Sequence, residues 1–365
     1  MWRSPPPFVI RCHGRSFSFS LPIPAMSTFS GLIREYPSIR VDNFKDNCIA
    51  YFLSHCHTDH LVGLARRDFP GPIYCSLETA RALVGKTVGK SSNRPYARYR
   101  DILRILPLGV AVRLAILPDE SFTVTMLDAQ HCPGSAMFLF EGSSGRVLYT
   151  GDCRMERSGN LSLGRVDHLY LDNTLLKPAF HTLPSRQESL LAVGKVVCWL
   201  KRQSPKAHII VVSASLGFEG VVLAAARAAQ RKVYVSERKL RFYSKTFKDA
   251  VGLLTADKAA TNLHACEGCD LCVEALSENR AYRIIAGVRS WEADLRSGKI
   301  GYRDLKKTVE TLPRIVKVVG KDIHVLFGMH SSVVELKRLV EDVAPAELSY
   351  CVGRPEERLR NYLES

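Results

Sequence analysis

Ser54-His55-Cys56-His57-Thr58-Asp59-His60 decides how this chain is read. It follows the apolar run Ile49-Ala50-Tyr51-Phe52-Leu53, which has the pattern of a buried strand. Two His separated by one residue point the same way only on extended backbone, because side chains there repeat every second residue. One metal can therefore take His55 and His57, while Asp59 and His60 turn toward a second beside it.

Further donors follow, each at the end of an apolar run. Thr123 to Asp128 alternates like a strand and leads into Ala129-Gln130-His131-Cys132-Pro133-Gly134-Ser135. Arg146-Val147-Leu148-Tyr149-Thr150 runs into Gly151-Asp152-Cys153-Arg154. His131 completes three imidazoles for the first metal, and the two oxygens of Asp152 suit a bridge between both. A lone His after a strand is usually a turn residue; the ordered set is what carries weight.

The series resembles the metallo-β-lactamase fold, and the chain goes on to resemble its DNA-processing β-CASP branch. Leu169-Tyr170-Leu171-Asp172-Asn173-Thr174 is similar to the branch's next acidic motif. Asn262-Leu263-His264-Ala265-Cys266 is similar to motif B, and Phe327-Gly328-Met329-His330-Ser331-Ser332 to motif C. The resemblance spans roughly residues 27 to 345. It implies an α/β fold: a metallo-β-lactamase αββα sandwich with an inserted β-CASP α/β domain. The expected division is a non-domain extension over 1–25, sandwich over 26–174, insertion over 175–318 and sandwich again over 319–365. Met26 is the expected usual start, and regulation through a long C-terminal tail is not expected.

The same resemblance implies a site. His55, His57, His131 and Asp152 would hold the first metal; Asp59, His60, Asp152 and His330 the second. Asp59, Asp152, Asp172 and His330 would be the catalytic group, with Asp172 and Asp42 orienting ligand imidazoles. Zinc is expected at one or both positions, magnesium or manganese being the alternative at the second. Ser331 and Ser332 are candidate phosphate contacts at a helix start, where ordinary N-capping would serve equally.

Two types of nuclease within the branch share features with this chain. Residues 26–31, 35–39, 41–44 and 50–57 are similar to the hairpin-opening endonucleases of the Artemis type. Residues 127–131, 169–174 and 184–188 are similar to the 5′-exonucleases of the Apollo type. His264-x-Cys266-x2-Cys269-x2-Cys272 offers four soft donors for a closed structural zinc site, a feature of the Artemis type. If those cysteines bind metal, His264 is a ligand and is not available as a general acid. The resemblance implies a nuclear enzyme that cuts DNA ends, hairpins and junctions in break repair, with end-joining partners such as a DNA-dependent protein kinase. A non-catalytic DNA-binding scaffold would be expected to have lost a ligand, and every one is present. A small-molecule hydrolase would not need the inserted basic domain.

Composition agrees with a nucleic-acid enzyme. The net charge of +15 over 365 residues suits a polyanionic partner. Eleven Cys without a paired framework fit a reducing compartment, and no run approaches the roughly 18 apolar residues of a membrane span. Between Arg227 and Lys248 eight cations face the single acid Glu237. Arg238, Lys239, Arg241 and Lys245 are the candidate DNA contacts there, with Tyr234, Phe242, Tyr243 and Phe247 as bases' stacking partners. Lys86 to Arg104 is a second basic run. Helices are expected over 189–201, 220–230 and 332–343, and strands over 207–213 and 322–327, the latter returning to the active site.

Overall fold

The computed structural model describes residues 8–12, 15–19, 28–65, 69–87, 94–118, 120–156, 163–212, 216–266, 268–297 and 312–365. The chain divides into two compact units. One comprises residues 25–183 with 328–365, the other 184–327 with 1–24. The boundaries thus fall at Pro184 and Phe327, against the expected 175 and 318.

The first unit is a sandwich of two sheets. Four parallel strands run in the order Ile39–Val41, Ala50–Phe52, Ile73–Cys75 and Leu103–Ile105. The second sheet has six, in the order Glu347–Tyr350, His168–Leu171, Gly145–Tyr149, Ala136–Gly142, Glu120–Asp128 and Ala111–Leu117. The period of two in the sequence separates its faces. Phe138 and Phe140 point into the core shared with Val41 and Phe52, while Met137 and Leu139 point the other way. That outer face is covered by helices Val333–Val343 and Glu357–Glu364, through Leu336, Leu339, Val340 and Leu363. Along the central strands both faces are therefore buried, which explains the near-continuous apolar runs before Asp152 and Asp172, whereas Glu120–Asp128 alternates.

The inserted unit holds a seven-stranded sheet in the order Leu254–Thr255, Val233–Tyr234, Leu263–His264, His208–Val212, Ala281–Gly287, Asp322–Leu326 and Val316–Val319. All pairs are parallel except the last. The strand at 322–326, expected to return to the sandwich, pairs with Ala281–Gly287 and belongs to this sheet. A buried-strand pattern does not say which sheet takes the strand. Helix Arg186–Gln203 begins at a capping box in which Ser185 and Glu188 satisfy each other's backbone amides. It buries Val193, Val197 and Leu200, as its periodicity predicts. Within the expected fold-free extension, Phe8–Cys12 and Arg15–Phe19 pair antiparallel; its other residues, and Met26 and Ser27, lie outside the described set. Among the described residues no helix is long and apolar enough to cross a membrane.

Candidate metal centre

Five strands of the sandwich deliver the site from their carboxyl ends. Asp42 follows Ile39–Val41, and the His55 to His60 segment follows Ala50–Phe52. His131, Asp152 and Asp172 follow Glu120–Asp128, Gly145–Tyr149 and His168–Leu171. His330 comes from the loop before helix Val333–Val343.

The first donor set is tight. His55 Nε2 and His131 Nε2 each lie 3.0 Å from His57 Nδ1. Asp152 Oδ2 is 3.5 Å from His55 Nε2 and 3.6 Å from His131 Nε2. A tetrahedral shell with metal–nitrogen bonds of about 2.0–2.1 Å has edges of about 3.3–3.4 Å. The four donors therefore have the separations that one small cation requires. Nitrogens this close, without a proton each could share, are otherwise mutually repulsive.

The second set is looser. His60 Nε2 is 3.2 Å from Asp152 Oδ1 and 3.8 Å from Asp59 Oδ2. His330 Nε2 is 4.0 Å from Asp152 Oδ2. His60 Nε2 is buried and makes no hydrogen bond of its own. An orphaned nitrogen aimed at a carboxylate that already faces three other imidazoles fits a second cation.

The outer nitrogens are occupied, which leaves the inner ones free to coordinate. His60 Nδ1 meets Asp42 Oδ2 at 2.8 Å, and His330 Nδ1 meets Asp172 Oδ2 at 2.8 Å. His131 Nδ1 donates to the Met329 carbonyl at 3.0 Å. Ser54 Oγ donates to Asp42 Oδ2 at 2.5 Å and so accepts from His55 Nδ1 at 2.9 Å. Asp42 also accepts from Ser54 N at 2.7 Å and Tyr149 Oη at 2.9 Å. It holds φ at 55°, a left-handed conformation that Asp tolerates better than most residues. The loop bearing His131 is pinned through Gly134, whose carbonyl accepts from Ser76 Oγ and Thr79 Oγ1. At φ +80 and with Ser76 Oγ 2.7 Å from where a Cβ would sit, Gly134 has no substitute. Lys86 Nζ holds the Cys56 carbonyl at 2.9 Å, between His55 and His57.

Electrostatics agree with a cation. Burial pushes His55 and His131 well below the usual imidazole range, leaving them neutral as ligands must be. Burial alone would lower His60 and His330 too, but neighbouring carboxylates win: Asp152 and Asp42 raise His60, and Asp172 and Asp152 raise His330 to about 9. Burial opposes ionisation of Asp152, yet His60 and His330 hold it well below the carboxylate range. The buried carboxylates call for positive charge, which the His60 and His330 imidazoliums supply and which a bound cation would supply in their place on releasing their protons.

In the inserted unit His264, Cys266, Cys269 and Cys272 come together. His264 Nδ1 lies 3.4 Å from Cys269 Sγ and 3.3 Å from Cys272 Sγ, and Cys266 Sγ is 3.4 Å from Cys272 Sγ. His264 Nε2 donates to the Thr261 carbonyl at 2.9 Å, so both its nitrogens are committed within the unit. Sequence reading missed His208 beside the four donors, its Nε2 3.5 Å from Cys272 Sγ. It is the first residue of a buried strand, where nothing local marks it as a ligand. Tyr149, Ser54 and the Met329 carbonyl were also missed, although Ser54 and Tyr149 adjoin the motifs.

Two other sequence expectations are corrected. Ser331 and Ser332 are 1% and 2% exposed and have no face for phosphate. Ser331 Oγ donates to the Cys153 carbonyl and accepts from Met155 N, while Ser332 forms a capping box with Glu335. On helix Glu237–Thr246, Arg238, Arg241 and Lys245 are exposed and Lys239 half-buried, but Tyr243 is buried and cannot stack on a base. Tyr234 packs on the His264 ring instead, and Phe242 and Phe247 pack around Tyr243. In the second basic run, residues 88–93 lie outside the described set, and Arg98 and Arg104 bond backbone carbonyls.

The beta-lactamase superfamily domain matches residues 41–234. The chain is 34% identical to the rat (Rattus norvegicus) protein artemis over 66% of its length, and 34% identical to the chicken (Gallus gallus) 5′ exonuclease Apollo over 82%. It spans 37% and 57% of those two relatives' own lengths. It is 31% identical to the Arabidopsis thaliana DNA cross-link repair protein SNM1, covering 96% of this chain and 71% of that one. A crystal structure of an Enterococcus faecalis protein of unknown function superposes with TM-score 0.52 at 13% identity, over 83% of this chain and 75% of that one. The chain therefore belongs to the β-lactamase superfamily and, within it, to the family of the cross-link repair protein SNM1.

Proposed function

We propose that this protein is a metal-dependent nuclease of DNA repair that hydrolyses phosphodiester bonds at DNA ends, hairpins and single-strand junctions. The observation that carries the proposal is the pair of donor sets meeting at Asp152, whose Oδ2 faces His55 and His131 and whose Oδ1 faces His60. His55, His57, His131 and Asp152 would hold one ion, and Asp59, His60, Asp152 and His330 the other. Divalent ions bound there would supply Lewis acidity at a phosphodiester oxygen and a water acidified to a pKa of roughly 7. The chain's own part is preorganisation. Asp42 and Asp172 fix the His60 and His330 rings, and the exposed cations of helix Glu237–Thr246 attract the DNA backbone. Zinc is the proposed ion at the first set, which is rich in imidazole; the more carboxylate-based second set would also accept magnesium or manganese.

The cysteine cluster of the inserted unit supports an additional structural zinc held by His264, Cys266, Cys269 and Cys272. Its donor spacings lie slightly under the edges of about 3.6–3.8 Å expected for mixed nitrogen and sulfur ligands. This cluster favours the hairpin-opening activity of the Artemis type. The 34% identity to Apollo over 82% of the chain favours the second reading, a 5′-exonuclease. A DNA-repair nuclease of this kind would act in the nucleus.

Purified protein and an Asp59→Ala control, assayed on end-labelled hairpin DNA and 5′-phosphorylated single strands, test this directly. Hairpin opening by the parent protein alone supports the first reading. Stepwise 5′ shortening transfers support to the second, and equal inactivity of both proteins on every substrate refutes the nuclease.

A further inference from the structure

Arg154 stands two residues after Asp152 and turns away from solvent into the sandwich, with none of its surface exposed. A guanidinium in such a place needs compensating partners, and Arg154 finds them at its two terminal nitrogens. Its Nη1 donates to the His330 carbonyl at 3.1 Å. Its Nη2 lies 3.3 Å from Glu156 Oε1 and 3.2 Å from Glu335 Oε1. Its backbone amide donates to the Ala129 carbonyl at 2.8 Å, two residues before His131. One residue thus touches the segments that carry Asp152, His131 and His330.

The Glu335 contact extends this reach. Its other oxygen, Oε2, accepts from Ser332 N at 2.7 Å and so closes the capping box of helix Val333–Val343. Arg154 therefore grips the carbonyl of His330 on one side and the start of the following helix on the other. Space for it is made by Gly328, where an added Cβ would sit 2.2 Å from Nη1 and 2.8 Å from Leu183 Cδ1. The glycine two residues before His330 and the arginine two residues after Asp152 are one device.

We propose that Arg154 is a positioning residue that sets His330 as a donor to the second ion. It acts through the main chain of the His330 loop, whereas Asp172 acts through the imidazole. The inference rests on the two-ion reading above. The looser second set, with His330 Nε2 still 4.0 Å from Asp152, is where an error of a few tenths of an ångström decides whether a donor reaches. The first set depends on the guanidinium less, since His55 and His57 share one continuous segment and the His131 loop is met by the main-chain amide of Arg154, which a substitution keeps.

The test is a cobalt titration of the metal-free 365-residue chain, followed by absorption, with the cysteine cluster read separately through sulfur-to-metal charge-transfer bands. Arg154→Lys keeps the charge and loses the two-pronged grip. Gly328→Ala keeps Arg154 and crowds it. Arg154→Lys is expected to weaken the second ion by about 10–100-fold and to leave the first within about threefold. Gly328→Ala is expected to reproduce the pattern more weakly, and decides the matter if Arg154→Lys does not fold. Folded variants that bind both ions like the parent overturn the inference. Parent protein that binds no second ion overturns the two-ion reading itself, while parent that binds both and cuts no DNA refutes the nuclease and leaves the affinity comparison intact.

Discussion

The two donor clusters of this molecule are assembled in opposite ways. In the sandwich, donors from residues 55 to 330 arrive on three strand ends and on the loop before helix Val333–Val343, and the rings of His55, His60, His131 and His330 are each braced through the outer nitrogen before any ion enters. In the inserted unit, all four expected donors lie between residues 264 and 272, braced by Thr261 and by the Cys269 amide on Cys266 Sγ. The first site is built by the fold and would outlast its metal. On the proposed zinc reading the second is a local loop that would depend on its ion, as is usual for small thiolate sites.

That contrast can be broken at its strongest point by Asp152→Asn. An amide cannot serve two cations, so DNA cleavage should fall by about 1000-fold or more, the worth of several kcal/mol of Lewis-acid stabilisation. Far-ultraviolet circular dichroism should be unchanged, because the apolar cores on both faces of the six-stranded sheet are untouched. Loss of the fold would contradict a site that stands without metal. Cys272→Ser should do the reverse, removing one zinc per chain and lowering the melting temperature while a folded fraction still cuts. Unchanged zinc content would show that His208 or another donor closes the set.

Asp42→Asn sharpens the first half of the contrast. Asn tolerates the left-handed backbone, yet its amide cannot accept from Ser54, His60 and Tyr149 together. Metal affinity at His60 should drop by about 10–100-fold, measured by competition with a chelator. Tyr149→Phe removes only one of those donors. It should cost about 1 kcal/mol in denaturant unfolding and change metal affinity a few-fold at most. A larger effect from Tyr149 than from Asp42 would reverse the proposed order of bracing.

What the sequence discloses follows the same division. The motifs at 55–60, 128–131 and 150–152 are legible because a buried strand ending in polar donors has few other uses. The helix expected over 189–201 begins three residues earlier, at the capping box of Ser185 and Glu188, which its apolar spacing does not mark. The sheet that takes Asp322–Leu326 is not legible, since apolar strands look alike and pairing is a tertiary choice. Nor are His208 or Arg154, whose partners lie 64 and 181 residues away in Cys272 and Glu335. Ser331 and Ser332 show the opposite hazard, because helix-capping serines and phosphate-binding serines are written the same way.

The central claim is best tested by anomalous diffraction at the zinc absorption edge from crystals grown with zinc. The account predicts one peak among His55, His57, His131 and Asp152, a second beside Asp59, His60 and His330 sharing Asp152, and a third among the cysteines. The absence of any peak at the sandwich donors would contradict it.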